Sequence, residues 1–121
     1  MSKRILIVED AEDISATMTE LLTAEGYSVA SASTGRRALE YLRTAPELPS
    51  LILLDLMMPD MDGAAFRAEQ QKDQKLANIP VVLMTAAGDA AKSVAALGAQ
   101  GLLKKPFKDI DTILASVSRF C

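Results

Sequence analysis

Three carboxylates stand beside or within short apolar runs of the sequence, where a purely structural role is hard to justify. Glu9 and Asp10 directly follow the aliphatic run at residues 5–8, and Asp55 lies near the centre of the run at residues 51–58. An ionised side chain in a buried strand is costly unless a nearby cation compensates its charge. Oxygen ligands without His or Cys suit a hard cation, so this acid group predicts a Mg²⁺ or Mn²⁺ site.

A hydroxyl and two amines end two further apolar runs. Thr85 closes the run at residues 79–85, and Lys104 and Lys105 follow the run at residues 101–103. Each residue has a structural alternative, because acids after a strand often cap a helix and strand-end lysines are often solvated. Beside a metal, however, a hydroxyl and an ammonium fit the oxygens of a phosphoryl group, and an aspartate can itself form an acyl phosphate.

The amino-acid composition excludes several kinds of functional site and disfavours others. The chain has 121 residues, 50% of them hydrophobic and 24% charged, which is enough for one domain with a real core. It has no histidine and one cysteine, so imidazole catalysis, thiolate metal sites and internal disulfides are excluded. A net charge of -3 does not favour nucleic-acid binding. The N-terminal apolar run is too short for a signal peptide or a membrane span, so we expect a cytoplasmic protein.

The elements that must position these residues follow from the hydrophobic periodicity. Apolar runs predict strands near residues 5–8, 27–33, 51–56, 79–86 and 101–106, and helical spacing predicts helices near 11–25, 35–44, 63–75 and 88–97 and from Asp109 onward. Strands that alternate with helices in this way predict a single doubly wound α/β domain, with a parallel sheet covered on both faces. In such sheets ligands bind beyond the carboxyl ends of the strands.

Several helix details are also predicted. Gly26 and Gly98 are expected to end the first and fourth helices. The last helix is expected to turn an apolar stripe inward, formed by Ile110, Ile113, Leu114 and Val117.

Four motifs of the chain together resemble a known family. They are VED at residues 8–10, LLDLMMPDMDG at 53–63, MTA at 84–86 and KKPF at 104–107. In this order and spacing they resemble the receiver, or phosphoacceptor, domain of two-component response regulators, the CheY-like proteins of bacterial phosphorelay signalling. The resemblance extends over the whole chain, and it implies a flavodoxin-like fold with five helices and five strands in the order 2-1-3-4-5.

The resemblance implies a role for each member of the acid group. Asp55 is the expected phosphoacceptor. Asp10 and Asp55 are the expected direct ligands of Mg²⁺, and Glu9 is expected to reach the ion through a water molecule. The backbone carbonyl of Met57 is expected to complete the ligands that the protein supplies.

The resemblance also implies roles for Thr85 and for the lysine motif. Thr85 is expected to bond a phosphoryl oxygen and so to report phosphorylation, and Lys105 is expected to pair with the phosphoryl group. The bond between Lys105 and Pro106 is expected to be cis. Lys104 is then expected to point the other way, because side chains alternate along a strand.

Two residues near the acceptor are expected to be structural. Pro59 ends the strand and stiffens the loop, and Gly63 is expected to supply a backbone φ that other residues resist. Asp60 and Asp62 are expected to be solvated loop and helix-cap residues rather than metal ligands.

One position departs from the family pattern. Receiver domains usually carry Tyr or Phe three residues before the lysine, and this chain has Leu102 there. Leucine has no ring to move inward when the threonine is drawn to the phosphate, so Leu102 is an atypical switch residue. Two outcomes are expected as alternatives: output through another surface, or a smaller difference between the two states.

The expected function is phosphorelay signalling. Asp55 takes a phosphoryl group from a histidine kinase or phosphotransfer protein, and phosphorylation switches the binding of a downstream protein. Residues 1–121 are expected to form one receiver domain without an output domain, which catalyses only its own phosphorylation and dephosphorylation. One alternative is a receiver-like scaffold that never takes phosphate. The other is an aspartyl-phosphate hydrolase, although those enzymes carry a second acid where this chain has Met57.

Overall fold

The computed structural model describes residues 3–56, 58, 61–85, 96–105 and 110–121. The elements within these ranges are β1 (Arg4–Val8), α1 (Glu12–Ala24), β2 (Ser28–Ala32), α2 (Gly35–Thr44), β3 (Leu51–Asp55), α3 (Gly63–Lys72), β4 (Val81–Thr85), β5 (Gly101–Lys104) and α4 (Ile110–Phe120). Among the described residues, no helix has both the length and the apolar character needed to cross a membrane.

The five strands form one sheet in which every pair is parallel. Their order is β2-β1-β3-β4-β5, which confirms the predicted doubly wound, flavodoxin-like fold and its strand order. The order reverses between β1 and β3, which are neighbours in the sheet although β2 separates them in the chain. Ligands bind beyond the carboxyl ends of the strands at such a reversal. These two strands end at Val8 and Asp55.

Each face of the sheet carries its own hydrophobic cluster, because side chains alternate along the strands. Leu6 and Leu54 belong to the cluster that α2 and α3 cover. Ile7 and Leu53 belong to the cluster that α1 and α4 cover. Every residue of β3 and β4 is buried, as continuous apolar runs predict for strands covered on both sides.

The helix ends agree with the sequence signals. Gly26 follows α1 with a φ of 95°, which confirms it as the glycine that ends this helix. The Thr34 hydroxyl accepts a hydrogen bond from the N–H of Arg37 at the start of α2. The Asp62 carboxylate accepts one from the N–H of Ala65, at 2.8 Å, which confirms Asp62 as a cap residue.

The helix after β4 and the start of the last helix are only partly described. Most of the predicted helix at residues 88–97 lies outside the described residues, as does Asp109, but residues 96–97 are helical and Gly98 follows with a φ of 64°. The prediction that Ile110 faces the core is wrong, because its side chain is 51% exposed, whereas Ile113 is buried. Ile110 begins α4 one turn before Ile113, and no described element covers that first turn.

The buried face of α3 is partly polar, which the apolar pattern does not predict. Arg67 and Gln70 are 5% and 0% exposed. Arg67 donates from Nε to the carbonyl of Leu97 at 2.9 Å and from Nη2 to the carbonyl of Gly98 at 3.1 Å. Gln70 accepts from Arg67 at 2.8 Å and donates to the carbonyl of Leu76 at 2.9 Å. The pair therefore ties α3 to the segments that precede β4 and β5.

Candidate phosphoacceptor and metal site

The carboxyl ends of β1 and β3 bring the three predicted carboxylates together. Val8 pairs with Leu54 in the parallel register, so Glu9 follows at the level of Asp55. One carboxylate oxygen from each of Glu9, Asp10 and Asp55 lies within 4.8 Å of the other two. Glu9 and Asp55 are 2% and 3% exposed, whereas Asp10 is open to solvent. The fold thus assembles one acid group from two distant parts of the chain.

Lys105 is the cation of this group. It directly follows β5, and its backbone N–H donates to the carbonyl of Thr85 at 2.9 Å. Its Nζ donates a hydrogen bond to Oε1 of Glu9 and lies 3.4 Å from Oδ2 of Asp55. Burial by itself lowers the pKa of the Lys105 ammonium, but the hydrogen bond to Glu9 and the charge of Asp55 outweigh burial and raise this pKa above its ordinary value.

The donor set fits a hard divalent cation. Three carboxylates facing one ammonium leave an excess of negative formal charge among the described side chains. Like charges held this close repel one another unless a further cation is present. The donors are all oxygen, and one carboxylate is solvent-exposed, which suits an ion that keeps part of its water shell. Glu9, Asp10 and Asp55 would hold such an ion; the carbonyl of Met57 lies outside the described residues.

Thr85 ends β4 at the same edge of the sheet. Met84, the residue before it, pairs with Asp55, so the threonine follows at the edge beside the end of β3. Thr85 is 1% exposed, and its partner in the next strand is Lys104. Lys104 is exposed to solvent, whereas Lys105 turns into the site. The hydroxyl and the inward lysine therefore lie at the edge that carries the acids.

Gly63 is required for close packing rather than for an unusual backbone angle. The prediction of an unfavourable φ is wrong, because Gly26 and Gly98 are the described glycines with positive φ. A Cβ at residue 63 would lie 2.8 Å from Cα of Leu56 and 3.0 Å from the carbonyl oxygen of Asp55. The N–H of Gly63 also donates to the carbonyl of Leu56 at 3.0 Å. The first residue of α3 therefore packs directly against the segment that carries Asp55.

The atypical position on β5 holds an aliphatic side chain that packs inward. Leu102 pairs with Leu83 and is partly buried against the cluster that α2 and α3 cover.

Three further predictions fall on residues outside the described ranges. They are the structural role of Pro59, the solvated loop position of Asp60 and the cis bond before Pro106.

Glu9 has a contact that the sequence motif does not predict. The motif assigns Glu9 to a water-mediated metal contact, whereas the structure makes it the hydrogen-bonded partner of Lys105. Its Oε2 also accepts from the N–H of Ala11 at 3.3 Å, and its backbone N–H donates to the carbonyl of Ala32 at 3.1 Å. The only sequence feature that points to this contact is the position of Glu9 directly after a buried strand.

A known family matches nearly the whole chain. Residues 5–118 match the family described as response regulator receiver domain. The chain belongs to this family. The receiver domain is 41% identical over 112 residues to the response regulator PleD of Caulobacter vibrioides, a match that covers 91% of this chain and 24% of PleD. The chain spans only part of the length of these curated relatives: 24% of PleD and 48% of the probable transcriptional regulator ycf27 of Porphyra purpurea.

Solved receiver structures have the same fold. The chemotaxis response regulator CheY4 of Vibrio cholerae is 28% identical, with a TM-score of 0.90 and coverage of 100% of both chains. The response regulator protein TrrA of Thermotoga maritima, solved in complex with Mg(2+)-BeF, is 28% identical, with a TM-score of 0.84 and coverage of 98% of this chain and 99% of that one. These similarities agree with the topology described above.

Proposed function

We propose that this receiver domain accepts a phosphoryl group on Asp55 in a Mg²⁺-dependent reaction, and that phosphorylation switches its binding to a downstream protein. One arrangement carries the proposal. Asp55 shares an acid group with Glu9 and Asp10, with ligand oxygens within 4.8 Å of one another, and its Oδ2 lies 3.4 Å from Nζ of Lys105. A carboxylate beside both a fitting cation site and a fixed ammonium is equipped to act as a phosphoryl acceptor.

The proposed reaction transfers a phosphoryl group between two nucleophiles. A carboxylate oxygen of Asp55 attacks the phosphorus of a phosphohistidine or of a small acyl phosphate. The new P–O bond makes an acyl phosphate on Asp55, while the P–N or P–O bond to the donor breaks and its electron pair leaves with the donor. Bound Mg²⁺ would neutralise negative charge on the carboxylates and the phosphoryl oxygens.

Lys105 and Thr85 complete the proposed site. Lys105 holds a positive charge beside the attacking oxygen and pairs with the phosphoryl group once it is transferred. Thr85 offers a buried hydroxyl at the same edge, in position to respond to a new anion on Asp55. Leu102 packs inward without an aromatic ring, so we expect either output through another surface or a smaller difference between the two states.

The proposed donor is a histidine kinase or a phosphotransfer protein. Membership of the receiver family supports this assignment. In the proposal, residues 1–121 form one receiver domain, which catalyses only its own phosphorylation and dephosphorylation. The downstream partner is a protein rather than a nucleic acid, consistent with the net charge of -3.

Phosphorylation from a small donor tests the proposal. After incubation with acetyl phosphate and Mg²⁺, intact-mass measurement is expected to show one phosphoryl group on the wild type and none on Asp55→Asn. Asp62→Asn is the matched control, since Asp62 caps α3 and asparagine caps a helix equally well. An unlabelled wild type, or a label that survives in Asp55→Asn, contradicts the proposal.

A further inference from the structure

β2 is an edge strand whose outer side is open. It pairs with β1 alone among the described strands. The N–H of Glu9 donates to the carbonyl of Ala32 at 3.1 Å, at the end of this ladder, so the even-numbered residues of β2 bond to β1. In a parallel ladder the residues between them turn their N–H and C=O groups the other way. Val29 and Ser31 therefore present two donors and two acceptors to the open side.

The sequence of this edge does not protect it from pairing. Natural proteins block open edges with charged side chains or proline, because unpaired backbone groups template another strand. β2 reads SVASA, without a charged residue or a proline. Ser31 is exposed to solvent. The edge is therefore competent to accept an additional strand.

A groove of about 600 Å³ lies between α1 and α2 at the carboxyl end of this edge, where Ser31 lines it. The α1 wall includes Glu12, Ala16 and Glu20, which recur every four residues and so form a stripe along one helix face. The opposite wall includes Arg37 and Tyr41 of α2. Because α1 and α2 cover opposite faces of the sheet, alternate side chains of an added strand would face the two walls in turn.

The α1 wall of the groove is acidic. Glu12 and Glu20 are exposed, and neither carboxylate forms an ion pair with any residue that the structure describes. Both charges therefore remain available to a ligand. A strand that brings basic side chains to this wall gains favourable electrostatics at positions where an acidic strand is repelled.

We propose that this groove binds an extended segment of a partner protein, which adds to the open edge of β2 and places lysine or arginine side chains against Glu12 and Glu20. Backbone hydrogen bonds to Val29 and Ser31 give the affinity, and the alternate side chains give the selectivity. The proposal does not rest on phosphorylation of Asp55 and is tested on the unphosphorylated chain.

A second copy of this chain fits the groove less well. Two β2 edges joined about a twofold axis place the same face of both copies side by side. The α1 carboxylates then approach the α1 carboxylates of the other copy, and like charges in that arrangement repel. A basic extended segment meets the same carboxylates with the opposite charge.

Amide exchange with a defined probe tests the proposal. The probe is a short peptide of alternating lysine and valine, acetylated and amidated at its ends, added to the full ¹⁵N-labelled chain. At saturation we expect amide exchange at Val29 and Ser31 to slow by about tenfold or more. Exchange at Ala30, whose N–H already faces β1, is expected to stay unchanged. A matched peptide of alternating glutamate and valine is expected to bind more weakly.

Two variants and one control variant test which residues bind the peptide. The double variant Glu12→Lys, Glu20→Lys is expected to weaken binding of the lysine peptide by about three- to tenfold. Glu40→Lys is the matched control, since Glu40 is exposed on α2 outside the groove, and it is expected to bind as the wild type does. Ser31→Pro removes one edge N–H without removing a bond to β1 and is expected to abolish most of the binding.

Three results would overturn the proposal. The first is unchanged exchange at Val29 and Ser31 at millimolar peptide. The second is an equal loss of binding in Glu40→Lys and in the double variant. The third is a concentration-dependent dimer in which Val29 and Ser31 are protected without peptide, which would assign the edge to a second copy.

Discussion

Nζ of Lys105 lies 3.4 Å from Oδ2 of Asp55 and donates a hydrogen bond to Glu9. A residue that follows the last strand of the chain thereby compensates carboxylates at the ends of the first and third strands. The same ammonium compensates the charge of the acid group, and in the proposed function it would compete with Mg²⁺ for that charge. The proposed function therefore predicts a site that responds to pH, to Mg²⁺ and to substitution of this lysine.

Removal of this lysine is expected to strengthen metal binding. Lys105→Ala leaves the three carboxylates without their ammonium, so Mg²⁺ is expected to bind about three- to tenfold more tightly. Calorimetric titration of both proteins with Mg²⁺ measures the change. Lys104→Ala is the control, because Lys104 is exposed and directed away from the acids. If Lys105→Ala binds Mg²⁺ as tightly as the wild type or more weakly, then Lys105 does not compete with the metal ion for the carboxylates.

The contribution of Lys105 to the free energy of unfolding is expected to be lost at high pH. Its pKa is raised in the folded state, so its contribution is complete below the ordinary lysine pKa of about 10.4 and is lost as pH rises through the raised value. Urea unfolding at about pH 9 and about pH 11 is expected to show a larger loss for the wild type than for Lys105→Met. Tyr27 and Cys121 titrate in both proteins, so the difference between the two reports Lys105. An equal loss of unfolding free energy in the wild type and in Lys105→Met would argue against a raised pKa for Lys105.

Mg²⁺ is expected to stabilise the fold, because it binds the assembled acid group and not the unfolded chain. At ten times the dissociation constant the free energy of unfolding gains about 1.4 kcal/mol. Asp55→Ala is expected to be more stable than the wild type without metal, since repulsion is relieved, and to lose most of the response to Mg²⁺. Thermal unfolding in MgCl₂, with NaCl at matched ionic strength as control, measures both effects. A wild type insensitive to Mg²⁺ would rule out the metal site.

Substitution of Gly63 is expected to slow phosphorylation as well as to destabilise the fold. A Cβ there meets backbone atoms of Leu56 and Asp55, which must shift to accommodate it. Gly63→Ala is therefore expected to reduce the rate of labelling by acetyl phosphate by about tenfold or more. Gly26→Ala is the control, because its positive φ makes it destabilising at a place remote from the site. The interpretation fails if both variants label at the same rate.

Removal of the Arg67 side chain is expected to destabilise the fold strongly, although arginine is usually a surface residue. Arg67→Ala leaves the carbonyls of Leu97 and Gly98 and the amide of Gln70 without their buried donor, and we expect a loss of about 2–4 kcal/mol in the free energy of unfolding. Arg43→Ala is the control, since Arg43 is exposed and its nearest acid is 4.0 Å away. Urea unfolding measures both; similar losses in the two variants would contradict the buried role.

The strands, their parallel pairing and the members of the acid group could be predicted from the order of residue types along the chain. Continuous apolar runs can be buried only in a sheet covered on both faces, and the carboxyl ends of such strands share one edge. The proximity of Glu9, Asp10 and Asp55 is therefore predictable from the sequence. Asp62 and Gly26 were equally predictable, because caps and glycine ends act within a few residues of the chain.

Contacts between distant segments of the chain could not be predicted in this way and are visible only in the folded protein. The pairing of Glu9 with Lys105, the close approach of Gly63 to Leu56 and the burial of Arg67 each join elements that lie apart in the sequence. Ile110 has the spacing of a core residue and is nevertheless exposed. Periodicity reports which side of an element is apolar, but only the packed fold sets which neighbour is present to cover it.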